Sequence, residues 1–103
     1  MSFRIKQILS GATTTGAVAP TTLQGLGNVR SYQASLGGTG TFSATIQIQV
    51  SNDGLYWFTL NTFTLSNTQQ TQVFTSTDAY AYVLANVTAI TGTAATASVT
   101  LAV

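Results

Sequence analysis

Apolar and polar residues alternate with a period of two along much of the chain, most cleanly over residues 42–50. Phe42, Ala44, Ile46, Ile48 and Val50 fall on one side of an extended chain, and Ser43, Thr45, Gln47 and Gln49 fall on the other. Successive side chains of a strand point to opposite faces. The segment therefore predicts a strand with one face in a core and the other wet or covered by a partner. Weaker versions of the pattern predict strands over 3–9, 30–36, 55–63 (with a kink near Asn61), 72–75, 80–89 and 95–103. In the last two, Val83, Ala85, Val87 and Ala89 share a face, as do Ala97, Val99, Leu101 and Val103. No comparable run has the spacing of an amphipathic helix.

Turn-forming residues punctuate these runs: Gly37-Gly38-Thr39-Gly40, Asn52-Asp53-Gly54, Ser66-Asn67-Thr68 and Thr91-Gly92-Thr93. Asp53-Gly54 is the strongest hairpin signal, because Asp tolerates the left-handed region and Gly carries no Cβ. It predicts pairing of 46–51 with 55–60. Several short strands at near-regular spacing predict an all-β fold, an antiparallel β-sandwich of jelly-roll-like form, built as a single domain over 1–103. Residues 11–27 lack clean alternation and hold the sole proline, Pro20. Residues 1–27 are read either as a surface loop or as an extended arm reaching a neighbouring subunit.

Charge changes the picture most. Of 103 residues, three are basic and two acidic, for a net charge of +1. They are Arg4, Lys6, Arg30, Asp53 and Asp78. Disorder does not follow, since disordered chains combine low hydrophobicity with high net charge. The polar surface must come from Thr, Ser, Asn and Gln, which repel copies of the chain very little. The composition predicts a protein that works in an assembly.

The same inventory excludes most chemistry. With no His, Cys or Glu, hydrolytic triads, thiolate chemistry and disulfides are absent. Asp53 and Asp78 both sit in predicted turns, so turn chemistry explains them better than a glycosidase pair. Asn52 and Asp53 offer two side-chain oxygens, which loop carbonyls could supplement, but calcium takes about 6–8 and usually several carboxylates, so the indication is weak. No cofactor, metal site or enzymatic activity is expected. Three cations are too few for tight phosphate binding, so nucleic acid is not an expected partner, although Arg4 and Lys6 remain candidates for contact with an acidic one. Residues 10–16 are too polar for a leader's apolar stretch, and neither a membrane helix nor a transmembrane barrel is expected. Tyr56, Trp57 and Phe58 are consecutive and cannot all face one core. Tyr80 and Tyr82 share a face opposite Val83. Aromatics left outside a core anchor protein interfaces or stack on sugars.

Two stretches carry a resemblance. Ser51-Asn52-Asp53-Gly54-Leu55-Tyr56-Trp57, and Tyr80-x-Tyr82-Val83-x-Ala85-x-Val87-Thr88-Ala89-Ile90-Thr91-Gly92-Thr93 with the closing Val99-Thr100-Leu101, resemble small β-rich virion proteins of tailed bacteriophages. The resemblance spans roughly residues 40–103; at one position where such proteins often carry Arg, this chain has Leu84. It implies a virion role without catalysis, since proteins of this kind include capsid decoration, or cement, proteins and small neck or tail components, and it identifies no binding residue. Taken with the exposed aromatics and the low charge, the favoured expectation is a capsid decoration protein on the outer surface of the head, a dimer or trimer that bridges neighbouring major capsid protein subunits through Tyr56, Phe58, Tyr80, Tyr82 and the N-terminal segment with Arg4 and Lys6. The alternatives are a neck or tail component, and a glycan- or host-surface-binding module using Trp57 and Tyr80.

Overall fold

The computed structural model describes residues 5–23, 25–77 and 80–103. Phe3, Arg4 and Asp78 lie outside them. The described chain is all-β and antiparallel: β1 (Ile5–Ala12), β2 (Gly16–Ala17), β3 (Thr21–Thr22), β4 (Val29–Ser51), β5 (Phe58–Ser66), β6 (Thr71–Thr77) and β7 (Tyr82–Ala102) form one seven-stranded sheet. The two dominant strands are unusually long, 23 residues in β4 and 21 in β7. They pair with each other from Ser31↔Ala102 to Ser51↔Tyr82.

This differs from the sequence expectation in an instructive way. Gly37-Gly38-Thr39-Gly40 and Thr91-Gly92-Thr93 do not end strands. They lie at the same level of the ladder, Thr39 opposite Thr93, with register shifts to either side. Each is a bend within a continuous strand. Pairing survives because β4 and β7 remain partners on both sides of it.

The bend divides the sheet into two halves. In one, β1, the end of β7, the start of β4 and β6 lie side by side. In the other, β2 and β3, the start of β7, the end of β4, and β5 do so. The same face of β4 is buried throughout, from Tyr32, Ala34 and Leu36 to Phe42, Ala44, Ile46, Ile48 and Val50. Strand β7 supplies Val83, Ala85 and Val87 before the bend and Ala95, Ala97, Val99 and Leu101 after it. A sheet cannot bury one face against itself unless it folds over. A bend that brings the halves face to face accounts for this burial, and the smallest extent of the molecule, 17 Å, is compatible with two layers stacked about 10 Å apart.

Phe42 fills the corner. A Cβ on Gly38 would lie 2.9 Å from its ring, and one on Gly92 would lie 2.4 Å from its Cβ. Gly92 also has φ +117°, a backbone conformation unfavourable to any side chain. The β5–β6 connection straddles the same corner. Asn67 N donates to Phe42 O (3.0 Å) and Leu36 N donates to Gln70 O (2.9 Å). The connection thus occupies backbone groups of β4 flanking the bend.

Bulges adjust which residues enter the core. In β1 a register shift between Gln7 and Leu9 lets the adjacent Ile8 and Leu9 both be buried. In β7 a shift moves Ala89 out of line with Val87, so Ala89 is exposed where alternation predicted burial. In β5 a shift falls at Leu60, next to the kink expected at Asn61. Residues 16–23 run back along β7: Gly16 pairs with Val87, Thr21 with Val83, and Leu23 is buried in the core, its N donating to Ala81 O (2.7 Å).

Candidate interaction surface

The Asp53-Gly54 turn forms as a hairpin, but in a different register from the one its position suggests. Strand β5 begins at Phe58, opposite Val50, so residues 52–57 make a longer loop. The cause is a local network centred on two side chains. Ser51 Oγ accepts from Asp53 N (3.2 Å) and Gly54 N (2.9 Å), and its hydroxyl donates to Asp53 Oδ1 (2.9 Å). The same Oδ1 accepts from Leu55 N (2.9 Å) and Tyr56 N (3.0 Å). Short polar side chains compete with the ladder for backbone donors in this way. Here they win, and the chain turns for several residues before pairing resumes. The Tyr56 and Leu55 amides, then the Ser51 hydroxyl, hold the Asp53 carboxyl below the ordinary aspartate range, because each favours the charged form.

The loop presents apolar side chains to solvent. Leu55 is 77% exposed, Tyr56 83% and Phe58 48%. Phe58 stands edge-on to Tyr80, which packs against the core, with ring centroids 5.1 Å apart. Tyr82, opposite Ser51, lies beneath the loop, where a Cβ on Gly54 would stand 3.8 Å from its ring. Trp57 is half-buried. Buried Arg30 fastens the segment before β7 from the other side, its Nε donating to Gly27 O (2.9 Å) and a terminal nitrogen to Tyr80 O (3.2 Å).

Of the residues nominated from sequence, Tyr56, Phe58, Tyr80 and Tyr82 therefore come together at one end of the molecule, around the loop that Asp53 organises. Lys6 does not join them. It is on β1 opposite Leu101, in the other half of the sheet. Arg4 lies outside the described residues. Leu55 belongs to the surface although sequence reasoning placed it within a strand; its position directly after Asp53-Gly54 was the available signal. A second exposed apolar set, Ile5, Val29 and Val73, was not anticipated. Its members sit on separate strands, so only pairing brings them into one half of the sheet. Among the described residues no three His, Cys, Asp or Glu side chains gather as metal ligands would.

The fold is shared with a prophage protein. The crystal structure of the SPBc2 prophage-derived protein YomS superimposes with a TM-score of 0.66 over 98% of this chain and 91% of that one, at 14% sequence identity. At that identity the likeness is one of fold. No family model matches the sequence, and no curated protein matches it.

Proposed function

We propose that this chain is a non-catalytic structural protein of a bacteriophage virion, and that it serves as a capsid decoration protein bridging neighbouring major capsid protein subunits. The observation that carries the reading is the pinned loop, which holds Leu55 and Tyr56 almost fully in water beside Phe58. Large apolar side chains on a backbone already fixed by hydrogen bonds gain free energy when a partner covers them, and the loop itself has little backbone entropy left to lose. Interfaces concentrate their energy in such aromatic anchors. The near-absence of charge suits a surface that is covered in service. A prophage-derived protein with the same fold, and the resemblance of the 51–57 and 80–93 stretches to small virion proteins, support the phage setting.

Bound across two capsid subunits, the protein stabilises the shell by mass action, because opening the shell must also release it. The test is a head-binding assay with wild type and Tyr56→Ala/Phe58→Ala. The double variant keeps its circular dichroism spectrum and loses about 2 kcal/mol or more of affinity, roughly thirtyfold. Heads lacking the protein release DNA at lower temperature. Labelling confined to the neck or tail, equal heat resistance with and without the protein, or glycan binding abolished by Trp57→Ala in a protein that ignores heads would overturn the proposal.

A further inference from the structure

The sheet's edges are not equally protected. An edge strand offers unpaired N–H and C=O groups to any strand that can align with them. Proteins blunt such edges with charge, proline, bulges or brevity. Strand β1 carries Lys6 and register shifts on both sides of Leu9. Strands β2 and β3 are two residues each, with Pro20 between them. Strand β5 is broken by the shift at Leu60. Strand β6, Thr-Gln-Val-Phe-Thr-Ser-Thr, has none of these devices. Its seven residues pair with β4 in unbroken register from Val29↔Thr77 to Ser35↔Thr71. It is uncharged, among the described residues it pairs only with β4, and Val73 is 60% exposed.

The geometry says which backbone groups are on offer. Leu36 N bonds to Gln70 O, so alternation along an antiparallel pair directs the even residues of β6 toward β4. The N–H and C=O groups of Thr71, Val73, Thr75 and Thr77 then point outward. Beside them an open groove of about 460 Å³ runs between β6 and β5, lined by Phe63, Asn61, Gln72 and Phe74.

We propose that β6 is a dimerisation edge, occupied by β6 of a second copy in antiparallel register about a two-fold axis at Phe74. The segment is self-complementary in that register. Thr71 faces Thr77, Gln72 faces Ser76, Val73 faces Thr75, and Phe74 faces itself. The residues with outward backbone groups meet one another, so the copies exchange about eight hydrogen bonds. The Phe74 rings meet at the axis as an aromatic cross-strand pair. A net charge of +1 opposes the approach very little. The contact is isologous and closes at two copies, so it yields a dimer and not a fibre. It joins four strands of each copy into a continuous eight-stranded sheet, β1-β7-β4-β6 with β6-β4-β7-β1. The inference does not rest on the virion reading, because it concerns the protein alone.

The test is sedimentation of the purified full chain over a wide concentration range. Wild type forms dimers. Val73→Lys/Thr75→Lys sets Lys against Lys at two cross-copy positions and weakens dimerisation on the order of tenfold or more, with circular dichroism unchanged. Val73→Lys/Thr75→Glu sets Lys against Glu in this register only, and restores the dimer. The chain has no cysteine, so a disulfide readout is free of background. Mixing Val73→Cys with Thr75→Cys under mild oxidation gives the mixed cross-linked dimer in preference to either self-linked one, and this reading stands even if the lysine variant fails to fold. A wild type that stays monomeric throughout, a Lys/Lys variant that folds and dimerises as wild type does, or cross-linking without preference for the mixed pair would each overturn the proposal.

Discussion

Gly92→Ala should be the most damaging small substitution in the protein. Two costs meet at this position. The backbone has φ +117°, outside the regions open to residues with a Cβ, a strain of about 1–3 kcal/mol. The new methyl would stand 2.4 Å from Phe42 Cβ, 2.7 Å from Phe42 Cα and 2.9 Å from Thr41 O. Two of these atoms are backbone, so the clash cannot be relieved by rotating a side chain. The strands must separate at the corner, adding about 1–3 kcal/mol of overpacking cost. The sum, about 2–6 kcal/mol, is a large part of the about 5–15 kcal/mol that holds a domain together. Thermal unfolding should drop by about 10–30 °C, at roughly 5 °C per kcal/mol for a domain of this size. Gly40→Ala is the control: φ is +72° and nothing lies within 4 Å of the added Cβ, so only backbone strain of about 1–2 kcal/mol remains. If both variants melt within a few degrees of each other, the close approach of β4 and β7 at Phe42 is not what requires glycine at 92.

Three further outcomes follow. Asp53→Asn should loosen the 52–57 loop, seen as faster proteolysis there, and lower the melting temperature at neutral pH. Because the folded-state pKa of Asp53 is depressed, its stabilisation is complete above the unfolded aspartate pKa and is lost as pH falls through the folded value. The gap between wild type and Asp53→Asn should therefore close in acid, and a gap that persists unchanged would refute the ionic role. Arg30→Met should destabilise by about 2–3 kcal/mol in urea unfolding, since the Gly27 and Tyr80 carbonyls lose a charged donor; full rescue by Arg30→Lys would show that the planar fork is not required. Leu23→Ala should cost about 2–5 kcal/mol in dilute protein, because Leu23 is buried against its own chain; a negligible loss would mean that this segment does not dock within the subunit.

Much of the fold was legible because burial on one face writes itself into a strand as a period of two. Phe42 to Val50 and Ala97 to Leu101 are buried as the alternation required. The pattern fails where one residue is inserted. Ile8 and Leu9 are both buried, and Ala89 is exposed, because bulges shift the register by amounts that composition does not encode. The aromatic cluster was legible as a set of residues, since three consecutive aromatics cannot share a core. That Phe58 meets Tyr80, and that Leu55 joins the exposed group, depended on where the loop ended.

Residue types and spacing alone make this protein β-structured, nearly uncharged and without His, Cys or Glu. Those are properties of residue types and of their spacing along one strand. That the glycine clusters at 37–40 and 91–93 are bends and not breaks follows from the pairing of β4 with β7 and from nothing local. Glycine permits a turn, a bulge or a sharp bend alike, and the choice is made by a partner strand that continues past the corner. For the same reason the structure alone distinguished β6 from the other edges: whether a strand's outer side is covered depends on which strands lie beside it, and pairing between distant segments leaves no local trace.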